Sequence, residues 1–231
     1  MNILITGGTG LIGRALIQHL HADRIIVLTR NLASAAKRLP QNIELVTTLA
    51  DVNFDELDVV VNLAGEAIVD KRWSSAQKDI ICQSRWQVTQ SLVEKMQSAT
   101  KPPHCFISGS AIGFYGRQNA SAIDENHQNV YNEFSHHICK KWEDIALSAQ
   151  SDKTRVCILR TGIVLANNGG ALEKMLPAFK FGLGGPIGDG KQFMSWIHID
   201  DMIAVILAAI YQPSLTGIIN ATAPMPVLKI H

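Results

Sequence analysis

Three glycines, Gly7, Gly10 and Gly13, stand at three-residue spacing in ITGGTGLIG, residues 5–13. They follow an apolar run and open a helical pattern. In a phosphate cradle each has its own task. One permits a tight turn, one lets the backbone approach a pyrophosphate, and the last lets the helix pack closely on the strand. The amides at the helix start, through Thr9, Leu11 and Ile12, then face the phosphates. The spacing therefore predicts a dinucleotide site. The second apolar run, IIVLTR, ends at Thr29 and Arg30. An NAD-preferring site would place a carboxylate there, on the ribose hydroxyls. A guanidinium grips a 2′-phosphate instead, so the cofactor expected is NADP(H) before NAD.

A second group of reactive side chains lies in YNEFSHHICKKWE, residues 131–143. Neighbouring helical residues point apart, so His136 and His137 do not converge on one ion. Glu133, four residues before His137, reads as a helix salt bridge, and no metal is expected. His136 with Lys140, and His137 with Lys141, have the spacing of facing helical pairs. A histidine transfers protons near neutral pH, but only one of the two pairs could face a cleft. The rest of the stretch reads as a mixed helix face. A third motif, GPIGDGK at 185–191, matches the first seven positions of a nucleotide phosphate loop. Gln192 stands where the magnesium-binding hydroxyl belongs, and no clear strand precedes it. It reads as a loop over a substrate cleft.

The elements that must position these residues alternate. Apolar runs predict strands at Ile3–Thr6, Ile25–Thr29, Ile43–Val46, Val59–Leu63, Cys105–Ser108 and Val156–Leu159. They lack polar alternation, as strands buried on both faces do. Helical patterns lie between them at Leu11–Leu20, Ser75–Ser98 and Glu133–Ala149. The alternation predicts an α/β fold, a Rossmann-type doubly wound parallel sheet. Residues 1–160 form its NADP(H)-binding domain. Residues 161–231 form a small C-terminal substrate lobe interleaved with it.

Composition narrows the class. The formal net charge is +1, which offers no basic field for nucleic acid. Cys82, Cys105, Cys139 and Cys157 show neither a CxxC pair nor zinc spacing, and read as reduced thiols of a cytoplasmic protein. No basic-then-apolar leader opens the chain. The longest apolar run, Met202–Tyr211, is too short for a membrane span and reads as a buried helix.

With TGGTGLIG, NLAGE (62–66), SR (84–85), SGSAIGFYG (108–116), LRTGIVL (159–165), GLGGPIGDGKQ (182–192) and WIHIDDM (196–202), the chain resembles the short-chain dehydrogenase/reductase superfamily. It is most similar to an atypical, extended-type branch, the bacterial epimerase family proteins related to nucleotide-sugar epimerases. Some of these carry the label of cell-division inhibitor. The resemblance covers nearly the whole chain. It implies that Leu63, Ala64 and Gly65 run beside the cofactor, that Arg85 contacts it, and that Val164 approaches the nicotinamide end. It places Trp196 and His198 at the substrate cleft, with a small molecule such as a nucleotide sugar as substrate. Relatives usually continue beyond NATAP, so part of the substrate lobe is expected to be missing. Ser110 fits the superfamily's substrate-orienting serine. The tyrosine and lysine that should accompany it are absent. Their slots fall near Phe134 or Ser135 and near Cys139. Two functions follow, an NADP(H)-dependent oxidoreductase or epimerase with an altered proton-transfer group, or a non-catalytic NADP(H) sensor or regulator.

Overall fold

A strand buried on both faces must carry apolar side chains on both, and the sequence supplies such runs in order. The computed structural model describes residues 1–22, 24–68, 71–167, 169–182, 184–185, 190 and 192–228. Its elements are β1 (Asn2–Thr6), α1 (Leu11–His19), β2 (Arg24–Leu28), α2 (Leu32–Ala36), β3 (Glu44–Val46), β4 (Val59–Asn62), α3 (Ser75–Ser98), β5 (Cys105–Ala111), α4 (Phe134–Leu147), β6 (Arg155–Thr161), β7 (Ile163–Ala166), α5 (Gly170–Lys180), β8 (Phe193–Met194), β9 (Trp196–His198), α6 (Ile199–Tyr211), β10 (Gly217–Ala221) and β11 (Val227–Leu228). One sheet has seven strands in the order β10-β6-β5-β4-β1-β2-β3, every pair parallel. The doubly wound parallel sheet expected from the sequence is the fold observed.

Alternate residues of the strands feed two cores. Ile3, Ile5, Val59, Val61, Ile107 and Leu159 pack on one face with Leu16 and Ile17 of α1 and Met202 and Ile206 of α6. Leu4, Val60, Phe106, Val156 and Ile158 pack on the other with Leu92, Val93 and Met96 of α3. Each fully buried aliphatic side chain contributes about 1.5–3 kcal/mol relative to exposure. The apolar run at Met202–Tyr211 is the body of α6, and among the described residues no helix is long and apolar enough to cross a membrane. All four cysteines are free and buried.

The C-terminal residues divide. β10 extends the main sheet beside β6, and α6 covers one of its faces. β7 pairs with β9, and β8 with β11, as two small two-stranded sheets. The strand order reverses at β1 and β4, and an α/β sheet opens a crevice at the carboxyl ends of its strands at such a point.

Candidate functional site

The crevice begins in backbone geometry. Gly7 has φ +71°, and a Cβ there would lie 2.5 Å from the Leu63 carbonyl oxygen. Only glycine lets the turn after β1 pass against the chain leaving β4. A Cβ on Gly13 would lie 2.5 Å from the Gly7 carbonyl oxygen and 2.6 Å from the Gly8 Cα. Helix α1 therefore rests directly on the turn. The Gly10 amide closes the turn by donating to the Gly7 carbonyl at 3.0 Å, with Thr9 half-buried between them. Gly10 is the N-cap of α1, and no side chain caps the helix. The first-turn amides of Leu11, Ile12 and Gly13 thus keep their donors for an anion, at the positive end of the helix dipole.

The two strand ends are tied together. The Thr6 hydroxyl donates to Asn62 Oδ1 at 2.6 Å and accepts from the Ala64 amide at 3.2 Å. Leu63, Ala64 and Gly65 are held against the glycine turn in this way. Arg85 on α3 braces the same loop, its Nη2 donating to the Glu66 carbonyl at 3.0 Å. A Cβ on Gly65 would come within 2.9 Å of the Arg85 Cζ, so the guanidinium lies flat beneath the loop. Arg85 forms no ion pair among the described residues, and burial pulls its pKa below the ordinary arginine value. At the end of β2, Thr29 is half-buried and Arg30 exposed, with no partner for Arg30 among the described residues. From the C-terminal part, β7 and the start of α5 approach α1. Cβ atoms on Gly169 and Gly170 would meet the Leu11 side chain at 3.2 and 3.0 Å, and Val164 lies beside them, its carbonyl oxygen 3.3 Å from the Gly170 Cβ position. The glycine turn, the loop after β4 and Val164 thus come together. Arg30 marks the end of β2, two strand ends from β4.

Beyond β5 the wall is made of side chains. Ser110 is buried, and its hydroxyl donates to Glu143 Oε1 at 2.6 Å. Glu143 in turn takes two bonds from Arg160, Nε to Oε1 at 3.0 Å and Nη2 to Oε2 at 2.8 Å. The two side chains are 3% and 5% exposed, so this is a buried, bidentate ion pair. Burial alone would lower the Arg160 pKa. The hydrogen bonds to Glu143 and Tyr115 outweigh it and leave the pKa raised. Arg160 Nη1 also donates to the Tyr115 hydroxyl at 2.9 Å, and that hydroxyl reaches Asn220 Oδ1 at 2.7 Å. Ser110 is therefore no free hydroxyl. Its proton is committed, and only its lone pairs remain.

Sequence reasoning missed Glu143, Arg160, Tyr115 and Asn220 as a unit. One signal was available. Arg160 interrupts an apolar run that the sheet buries, and a buried charge requires a partner.

On α4 the slots of the superfamily's pair hold Phe134 or Ser135 and Cys139. The Ser135 hydroxyl donates to Glu133 Oε1 at 2.9 Å. Burial, and then the Glu143 carboxylate, push the Cys139 thiol up to about 11. The two His–Lys pairs do not form. Lys140 turns to Asp144, Lys141 sits 4.1 Å above the Trp86 ring, and His137 meets Trp86 edge-on at 5.7 Å. His136 turns the other way, with Nδ1 bonded to the Phe114 carbonyl. The expected salt bridge from Glu133 goes to Arg117 at 3.3 Å and not to His137.

His198, expected at the cleft, is the N-cap of α6, its Nδ1 accepting from the Asp200 amide at 3.2 Å. Trp196 lies in β9 opposite Ile163, and its indole N–H is buried without a partner among the described residues. The GPIGDGK loop falls largely outside the described residues. No three His, Cys, Asp or Glu side chains converge as metal ligands among the described residues.

Residues 3–221 match the family described as the NAD dependent epimerase/dehydratase family. An epimerase family protein SDR39U1 homolog of Arabidopsis thaliana, a chloroplastic protein, is 39% identical over 98% of this chain and 67% of its own length. An epimerase family protein of Mycobacterium leprae is 38% identical over 97% of this chain and 73% of its length. Among solved structures, human epimerase family protein SDR39U1 with NADPH superposes with a TM-score of 0.89 at 32% identity, over 100% of this chain and 77% of that one.

Proposed function

The chain belongs to the NAD dependent epimerase/dehydratase family, and from that premise we propose that it is an NADP(H)-dependent oxidoreductase or epimerase-like enzyme acting on a small carbonyl or alcohol. The observation that carries this reading is the glycine turn. It is locked beneath Leu63 and opens a helix with no side-chain cap, and Arg30 at the end of β2 has no partner among the described residues. Backbone amides would take the pyrophosphate, and Arg30 with Thr29 the 2′-phosphate. The similar human protein was solved with NADPH, which supports the same choice. When bound, the cofactor supplies hydride chemistry at its nicotinamide. The loop Leu63–Gly65 would lie along it, with Arg85 bracing that loop and Val164 at the nicotinamide end.

Toward the substrate, Ser110 would offer lone pairs to a hydroxyl, because Glu143 holds its proton. Trp196 would offer its indole N–H, which has no partner among the described residues, and His198 would border the cleft as the cap of α6. A nucleotide sugar is the substrate class we favour. UDP-glucuronic acid 4-epimerase of Bacillus cereus, solved with its sugar nucleotide and NAD, shares the fold at a TM-score of 0.81 and 20% identity. Two measurements test the reading. NADPH and NADH are titrated against the wild type and Arg30→Asp. Single-turnover oxidation of bound NADPH is then followed with a panel of carbonyl compounds and nucleotide sugars. Tight NADPH binding with turnover supports it. Tight binding with silence across the panel favours a second reading, an NADP(H) sensor, for which Phe134 or Ser135 in the tyrosine slot and Cys139 in the lysine slot speak.

A further inference from the structure

Resting on that oxidoreductase reading, we propose that His136 is the proton-transfer residue of this site, in place of a tyrosine–lysine pair. A backbone carbonyl can only accept, so the bond to Phe114 places the proton on Nδ1. A neutral ring then carries its lone pair on Nε2, which has no partner among the described residues. Anchoring one ring nitrogen on a carbonyl is what fixes a histidine's tautomer and orientation for proton transfer at the other.

The position fits. His136, Cys139 and Glu143 lie on one face of α4 at helical spacing. Glu143 meets Ser110 and His136 meets Phe114. Between them Cys139 faces Gly113, whose Cβ would come 3.6 Å from the sulfur. The whole face is therefore docked on β5 and on the 3-10 turn Ile112–Phe114 that follows it. α4 runs into the parallel strand β6, so its first turn lies at the carboxyl edge of the sheet, where the cofactor crevice opens. Glu143 meets the strand ends at Ser110 and Arg160, and His136 lies about 10 Å further toward the start of the helix, beyond those ends. It is half-buried, neither sealed in the core nor free in solvent.

Other candidates on these elements are occupied. The Tyr115 hydroxyl is buried against Arg160, Asn220 and the Asp124 carbonyl. Ser110 is bound to Glu143, Lys140 to Asp144, and Lys141 and His137 lie on Trp86. The charged groups around His136 are Arg160, which lies over the Phe114 ring that His136 also meets, Glu133 at the helix start, where it pairs with Arg117, and Lys140 with its aspartate on the helix. Cys139 is the other titratable neighbour.

In carbonyl reduction a bound reduced cofactor would supply the hydride that the carbonyl carbon needs. The oxygen gains the proton of an imidazolium Nε2. The neutral ring then recovers a proton from water, and alcohol oxidation runs the same steps in reverse.

His136→Asn keeps a donor for the Phe114 carbonyl and removes Nε2. Nitrogen-15 NMR of histidine-labelled protein should show the neutral His136 ring as the Nδ1–H tautomer. Single-turnover NADPH oxidation by phenanthrenequinone and a panel of 4-keto sugar nucleotides should fall by about 10²–10⁴-fold in His136→Asn and lose its pH limb. NADPH affinity and melting temperature should stay as in the wild type. An Nε2–H tautomer overturns the proposal. So does a variant that is as fast as the wild type with the same pH profile, which removes His136 and leaves the oxidoreductase reading intact. Silence of a wild type that binds NADPH removes that reading, and the role of His136 with it.

Discussion

The crevice at the glycine turn and the wall behind Ser110 are built from different material. The first is backbone. Gly7, Gly10 and Gly13 contribute no side chains, and what they shape is the approach of one chain segment to another and a row of unpaired amides. The second is side chain. A serine, a glutamate, an arginine and an asparagine from β5, α4, β6 and β10, with a tyrosine from the turn after β5, satisfy one another, and all but the half-buried asparagine are buried. A backbone site can hold a phosphate whatever the neighbouring residues become. A side-chain site can change its chemistry by exchanging one or two residues, and on α4 the chain carries Phe134, Ser135 and Cys139 where the resemblance leads one to expect a tyrosine and a lysine.

The comparison is broken most forcefully at the ion pair. Glu143→Leu leaves the Arg160 guanidinium buried without its carboxylate, which should cost about 3–5 kcal/mol in chemical denaturation. The double variant Glu143→Leu/Arg160→Met should recover most of that loss, because an apolar pair needs no desolvation. If the double variant is as unstable as the single, the wall is held by something other than this pair. Gly7→Ala probes the backbone side. A residue with a Cβ at φ +71° carries about 1–3 kcal/mol of strain, before the contact at 2.5 Å with the Leu63 oxygen is counted. NADPH affinity, read by fluorescence titration, should fall further than stability does. Equal losses would mean that the turn serves the fold alone.

These two regions were unequally legible. The glycine spacing, the apolar strands and the helix Ser75–Ser98 could be read because each depends on neighbours in sequence. A turn needs its glycine, and a strand buried on both faces needs its apolar run. The buried network could not be read, because its members lie 33 positions apart for Ser110 and Glu143 and 105 apart for Tyr115 and Asn220, and only the parallel register of β5, β6 and β10 brings them together. Short elements were also hidden. β7 and β9 are a few residues each, and their pairing comes from the return of the chain. The two His–Lys pairs had the right spacing and did not form, because Asp144 and Trp86 offered the lysines nearer partners.

Arg30 sharpens the backbone side by a smaller amount. A charge-assisted bond to a 2′-phosphate is worth about 1.5–3 kcal/mol. Arg30→Asp should therefore weaken NADPH by roughly 10- to 100-fold and leave NADH binding nearly unchanged. Equal weakening of both cofactors would show that Arg30 acts on the fold of the β2 end and has no part in choosing the phosphate.

The smallest effect sharpens the side-chain wall. Cys139 lies against the Ser110–Glu143 contact, and burial with the nearby carboxylate pushes its thiol up to about 11 from an ordinary value of 9.0. Above pH 9 the unfolded chain gives up this proton while the folded protein keeps it. The contribution is complete below pH 9 and is lost as the pH rises toward 11, at no more than about 1.4 kcal/mol per pH unit. Denaturation curves of wild type and Cys139→Ala, compared from pH 8 to 11, should therefore differ in slope, with the variant losing less stability as the pH rises. Parallel curves would place Cys139 in contact with water. The slot that the superfamily gives to lysine would then be open to the crevice, and the separation between an accessible backbone site and a sealed side-chain wall would fail at this helix.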